Sequence, residues 1–187
     1  LKSIQDNKKF KAAVERCKLA ASKQVGPKNF KRHFAQLKSV WTYIVALPPD
    51  YEKSEKKYDI CVILHGSGST EKGHGALADR LGRDDVIFVC PRAPYPHVHV
   101  FQNLKKEGYT AWLNDRIDDK SKWLSMVPQN YVDWIFTCVD DARKHYRTKE
   151  GKVHIIGHSQ GAGFATACAL KYPEKVKSFF AYAGYLM

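Results

Sequence analysis

The chain has 187 residues, 44% of them apolar and 12% aromatic, enough to bury the core of one globular domain and too apolar for a disordered polypeptide. Its longest apolar runs, Ile60 to Leu64 and Val86 to Cys90, are strand-sized, so no membrane span is expected, and the opening residues do not read as a signal peptide. The net charge of +12 is uneven: residues 1–40 carry eleven Lys and Arg against Asp6 and Glu15. The basicity belongs to a Lys-rich N-terminal stretch, read as a solvated helix face, and nucleic acid is not an expected partner of the main body. The five cysteines, Cys17, Cys61, Cys90, Cys138 and Cys168, include no C-x-x-C pair. They read as free buried thiols in a reducing compartment, which points to the cytoplasm.

In chain order, Phe10, Val14, Cys17 and Ala21 recur at helical spacing over about 5–22, and Gly26-Pro27 breaks the pattern. Residues 1–39 are thus expected to form a basic, partly helical extension ahead of a domain at 40–187. Val40 to Leu47 is β-rich and is stopped by Pro48-Pro49-Asp50. Tyr51 to Tyr58 is a charged connector with no apolar face beyond its tyrosines. Ile60 to Leu64 has no polar alternation, as a strand buried on both faces requires, and runs into His65-Gly66-Ser67-Gly68. A short helix at about 76–81 precedes a second buried strand, Val86 to Cys90. Residues 92–127 are expected to be an irregular functional loop, rich in aromatics and histidine. Tyr131, Ile135, Cys138 and Ala142 mark an amphipathic helix. A buried strand at Val153–Ile156, a helix from Gln160 to Tyr172 and a last strand at Val176–Tyr182 complete the chain. Strands alternating with helices predict an α/β fold, a mostly parallel sheet with helices on both faces.

The chemistry concentrates at Gly157-His158-Ser159-Gln160-Gly161, a G-x-S-x-G set directly after a buried strand and directly before a helix. Its alternative is a glycine-flanked turn without chemistry. With 12 glycines in the chain, chance supplies only about 0.04 such matches. In this context the strand turns sharply into the helix, and Ser159 is held in a strained conformation with its hydroxyl clear of the sheet. The helix then aims its free N–H groups at the serine. A serine nucleophile also needs two donors for the oxyanion of its tetrahedral intermediate. One is expected from the Gln160 amide and the other from the His65–Gly68 loop, with Ser67 first and Gly68 second. His65 is expected to orient that loop at the edge of the pocket beside Gly66.

These residues, together with Leu64-His65-Gly66, Cys90-Pro91-Arg92-Ala93-Pro94 and Ala111-Trp112, resemble an α/β-hydrolase over Trp41 to Met187. The chain is most similar to the phospholipase/carboxylesterase group, which includes acyl-protein thioesterases and dienelactone-hydrolase-like enzymes. Thr42 to Pro48 also resembles secreted esterase and depolymerase relatives. The resemblance implies hydrolysis of a carboxylic ester or thioester with Ser159 as nucleophile, an acyl or small-molecule ester as substrate, and no cofactor or metal. It makes Trp112 a pocket wall, with Tyr95 in the same aromatic stretch.

In this fold the triad runs Ser, then Asp or Glu, then His. Residues 160–187 contain neither Asp nor His, and their one acid, Glu174, follows Pro173 near a helix end. All histidines other than His158 also precede Ser159. The expectation is therefore a sheet incomplete at its C-terminal edge and missing its last strands. The acid and His would lie outside this chain, in further polypeptide or a second chain, and the 187 residues alone would be inactive; the remaining alternative is a substitute base, His97 or His99, which nothing in the sequence positions. His97 and His99 could share a strand face, but no acidic or cysteine cluster accompanies them for a metal site. A nucleotide loop is not supported, since Glu71 stands where G-x-G-x-x-G needs glycine. Two other readings stay open: a serine peptidase of the same fold, and a non-catalytic hydrolase-like binding protein with a basic arm.

Overall fold

A computed structural model describes residues 41–101, 104–111 and 127–184, with Ala12, Glu15 and Arg16. The chain divides into two compact units, Leu1–Ser39 and Val40–Met187. Of the first, the three described residues are helical; the rest of the expected helix at 5–22, Cys17 included, lies outside the described residues.

The second unit is built on a five-stranded sheet: β1 (Tyr43–Ala46), β2 (Asp59–Leu64), β3 (Val86–Pro91), β6 (Val153–His158) and β7 (Val176–Tyr182). Their spatial order is β1-β3-β2-β6-β7, with β1 antiparallel to β3 and every other pair parallel. Helix α1 (Glu71–Leu81) joins β2 to β3, α2 (Gln129–His145) precedes β6, and α3 (Gln160–Lys171) joins β6 to β7. Strand β2 shows why the sheet sits at the centre. Ile60, Val62 and Leu64 pack with Tyr131, Ile135 and Phe164 from α2 and α3. Cys61 and Ile63 pack on the opposite face with Ala78 and Leu77 from α1. The period-two alternation of a strand thus feeds two apolar layers, and each aliphatic side chain removed from water contributes about 1.5–3 kcal/mol.

Helix α1 begins earlier than the expected 76–81. Thr70 caps it by accepting from the Gly73 amide at 3.3 Å, and Gly82 closes it in the left-handed conformation. Gly73 and Gly75 in its first two turns blunt the apolar periodicity, so the first turn is hidden from pattern reading. The tyrosines of the charged connector are core residues: Tyr51 and Tyr58 are buried, with rings 5.5 Å apart, and the Arg147 guanidinium lies 4.0 Å from the Tyr51 ring.

The largest departure from expectation falls at 92–127. This stretch contains an antiparallel hairpin, β4 (Tyr95–Phe101) with β5 (Leu104–Thr110). It stands outside the central sheet. Its sequence hides it because valines alternate with histidines in β4 and because β5, Leu-Lys-Lys-Glu-Gly-Tyr-Thr, is largely polar. Residues 112–126 lie outside the described residues.

Cys61, Cys90, Cys138 and Cys168 are free and buried. No described helix is long and apolar enough to cross a membrane.

Candidate active site

After β3 the chain crosses back over β2 to reach β6, so β2 and β6 are neighbours whose connections leave in opposite directions. In parallel sheets a crevice opens outside the carboxyl ends of such a pair. Here those ends are Leu64-His65-Gly66-Ser67 and His158-Ser159-Gln160, held in register by the Leu64–Gly157 pairing.

Ser159 sits between β6 and α3 with φ 51 and ψ −116. A non-glycine residue at positive φ is strained by about 1–3 kcal/mol and persists only where its surroundings enforce it. The Ser159 amide donates to Tyr182 O at 3.0 Å, and the Ser159 carbonyl accepts from Ala162 N at 3.0 Å. Ser159 is the N-cap of α3, yet its side chain does not cap the helix. The Gln160 amide, at the first helical position, has no intrahelical acceptor, which is general for helix starts.

The glycines of the motif are there for space. A Cβ on Gly157 would stand 2.2 Å from Gly161 O, and a Cβ on Gly161 would stand 2.3 Å from Leu64 O. The elbow therefore closes backbone on backbone, against both α3 and β2. Gly66 brings the facing loop close, its Cβ position being 3.1 Å from Ser159 Cβ and from His158 Nδ1.

His65, expected to orient the loop at the edge of the pocket, lies beneath that loop. It is 3% exposed. Its Nδ1 faces Gly66 O at 2.8 Å and its Nε2 accepts the Ala93 amide at 3.1 Å. A carbonyl on one side and an N–H on the other require the neutral tautomer protonated at Nδ1. Burial lowers its pKa in the same direction. His65 braces the loop from beneath. Gly68, the second choice for an oxyanion donor, has its amide committed to Tyr109 O at 2.9 Å, which leaves Ser67 as the loop's candidate.

A polar bridge spans the two loops. Ser67 Oγ donates to Thr110 Oγ1 at 3.2 Å. The Gln160 side chain takes the Ala111 amide on Oε1 at 2.8 Å and lies 3.1 and 3.0 Å, through Oε1 and Nε2, from Thr110 Oγ1. Thr110 is 1% exposed. Sequence reading missed it, and a lone threonine in an aromatic stretch carries no signal that could have found it.

Further out, Arg92 forms a two-point ion pair with Glu71, Nε to Oε2 at 2.8 Å and Nη2 to Oε1, and lies 4.6 Å over the Tyr109 ring. Glu71 is 2% exposed, and the guanidinium holds its carboxyl below the usual range. His158 stacks against Tyr182 at 4.9 Å and stands 6.0 Å from His74, which is 6.0 Å from His65. Burial and the neighbouring histidines pull His74 down to about 4. Tyr95, half-buried, opens β4 opposite Thr110. Trp112 lies outside the described residues, as does the side chain of His99. Among the described residues no group of three or more His, Cys, Asp or Glu is placed to hold a metal ion.

The sequence and the fold have counterparts among known proteins. The Phospholipase/Carboxylesterase family model matches residues 51–187. The chain belongs to the phospholipase/carboxylesterase family. A curated relative, acyl-protein thioesterase 1 of Eremothecium gossypii, is 26% identical over 136 residues, 66% of this chain and 53% of that protein. Among solved structures, esterase PE8 is 23% identical with a TM-score of 0.58, over 77% of this chain and 64% of its own. A ferulic acid esterase is 21% identical with a TM-score of 0.50, over 76% of this chain and 52% of its own. At these identities the two structures bear on the fold, that of an α/β-hydrolase. The chain spans about half the length of the curated relative it matches.

Proposed function

We propose that the protein is a serine hydrolase that cleaves carboxylic esters or thioesters through an acyl-Ser159 intermediate. The observation that carries this reading is Ser159 itself, held at positive φ between a parallel strand and a helix it does not cap. Ser159 Oγ attacks the carbonyl carbon and passes its proton to a general base. The oxyanion is received by the amides of Gln160 and Ser67, and collapse expels the alcohol or thiol with that proton. Water then attacks the acyl-enzyme by the same route and releases the acid. In triads of this fold the base is a histidine supported by a carboxylate, both following the nucleophile in chain order. Family membership and the name of the thioesterase relative favour ester and thioester substrates over amides.

The test uses the full-length protein with p-nitrophenyl butyrate and an acyl thioester. Ser159→Ala is expected to lower turnover by at least about 10³-fold and to remove labelling by a fluorophosphonate. Undiminished turnover in Ser159→Ala would overturn the reading. A wild-type protein with no labelling and no turnover, but salt-sensitive binding to anionic surfaces, would establish the non-catalytic alternative.

A further inference from the structure

The tail of β5 touches both loops that the proposed reaction needs, and it does so through consecutive residues. Gly108 lies against the backbone of Gly68, where an added Cβ would stand 2.2 Å from Gly68 O. Tyr109 pairs with that loop in both directions, accepting from Gly68 N at 2.9 Å and donating to Ser69 O at 2.8 Å. Thr110 bonds to Ser67 on one side and Gln160 on the other, and the Ala111 amide closes on Gln160 Oε1. Within four residues the strand is bonded first to the β2–α1 loop and then to the first residue of α3.

The chemistry of these groups fixes their orientation. The Ala111 amide can only donate, so the oxygen of the Gln160 amide must face it and the NH2 group must turn toward Thr110. Thr110 Oγ1 has two lone pairs and one proton, enough to accept from Ser67 and Gln160 Nε2 together. Ser67 and Gln160 are the two residues whose amides serve as donors in the proposed function. Their side chains meet on one buried hydroxyl.

We infer that Thr110 is a positioning residue for the oxyanion hole, setting the separation and angle of the Ser67 and Gln160 amides by holding both side chains. The inference rests on the proposed acyl-Ser159 chemistry. Thr110 itself touches neither substrate nor reacting atom. It acts on the transition state because donors are effective only at about 2.7–3.1 Å from the developing oxyanion, and a small change of spacing weakens one of them. Ground-state binding of the ester depends little on that spacing, so the effect belongs in kcat more than in KM.

The experiment compares Thr110→Val, which keeps the shape and removes the hydroxyl, with Thr110→Ser in the full-length protein. The readouts are ester kinetics, thermal midpoint and inhibition by phenylboronic acid, whose tetrahedral serine adduct places an oxygen in the hole. Thr110→Val is expected to lower kcat by about 10- to 100-fold, with the boronate Ki rising by a similar factor and KM shifting less than about threefold. Thr110→Ser should recover most of the loss. If Thr110→Val does not fold, Ser67→Ala removes the other hydroxyl of the bridge and should show the same kcat and Ki pattern in smaller measure. Unchanged kcat and Ki in a folded Thr110→Val, whatever its thermal midpoint, would overturn the inference, as would equal losses in the Val and Ser variants. Failure of the underlying reading is distinguishable, because it appears as wild-type turnover in Ser159→Ala.

Discussion

Gly157, Gly161 and Gly163 share the elbow and the helix after it, yet a methyl group meets something different at each. At the first two it would enter backbone that cannot withdraw; at Gly163 nothing lies within 4 Å. Gly157→Ala and Gly161→Ala are each expected to destabilise the fold by about 1–3 kcal/mol or more. Gly163→Ala, inside α3, should stabilise it by about 0.5–1 kcal/mol. Urea denaturation of the three variants checks the contrast, and equal midpoints would contradict it. His74 is a second residue-scale case. Its folded pKa is pulled down from 6.5 to about 4, so between those pH values the unfolded chain binds a proton that the folded state refuses. Stability is therefore full above about pH 6.5 and falls as the pH drops toward 4, by about 3 kcal/mol at most from this group. His74→Gln should flatten that part of the profile; parallel profiles for the variant and the wild type would remove His74 as the cause.

At the scale of elements, the Arg92–Glu71 pair fastens the start of α1 to the end of β3, and Arg92 stacks on the hairpin through Tyr109. Arg92→Ala would strand a carboxylate that is 2% exposed. Since the Arg92 side chain is 31% exposed, the expected loss is about 2–3 kcal/mol, below that of a fully buried pair. Glu71→Gln with Arg92→Leu should lose less than the sum of the single changes, as a double-mutant cycle would measure. The depressed Glu71 carboxyl gives stability that is present above its unfolded pKa and lost as the pH falls through the folded one. Its acid response therefore lies mostly below that of His74.

Legibility from sequence followed physical context. Strands β2 and β3 are buried on both faces, and their unbroken apolar runs announce them, whereas β6 alternates buried with half-buried residues and is marked by the elbow that follows it. The elbow is legible because close backbone packing demands glycine at fixed offsets from Ser159. The hairpin is not, because a ribbon outside the central sheet needs no apolar face. Thr110 is silent for a related reason. Its role comes from what the fold brings beside it, 43 and 50 residues away in sequence.

Over the unit as a whole, the two faces of the sheet are covered unequally. Helices α2 and α3 share one apolar layer across β2, β3, β6 and β7, whereas α1 on the other side packs with β1, β2 and β3. Phe179 and Phe180 on β7 are 45% and 63% exposed. An apolar strand at a sheet edge invites association. Phe180→Thr, which retains β propensity, should therefore reduce concentration-dependent light scattering of this 187-residue chain with little change in its thermal midpoint. Unaltered scattering would place the sticky surface elsewhere.

The four buried thiols allow one further reading of the same architecture, as a recorder of how it opens. Burial pushes Cys61, Cys90 and Cys168 up to about 12 and raises Cys138 as well, so an alkylating reagent must wait for the layer above each sulfur to part. Cys61 and Cys90 belong to the layer under α1, and Cys138 and Cys168 to the layer under α2 and α3. Iodoacetamide pulses resolved by peptide mass would therefore time each side of the sheet separately. One shared rate means that the sheet and its helices come apart as a single cooperative body, and two rates mean that one layer peels away first.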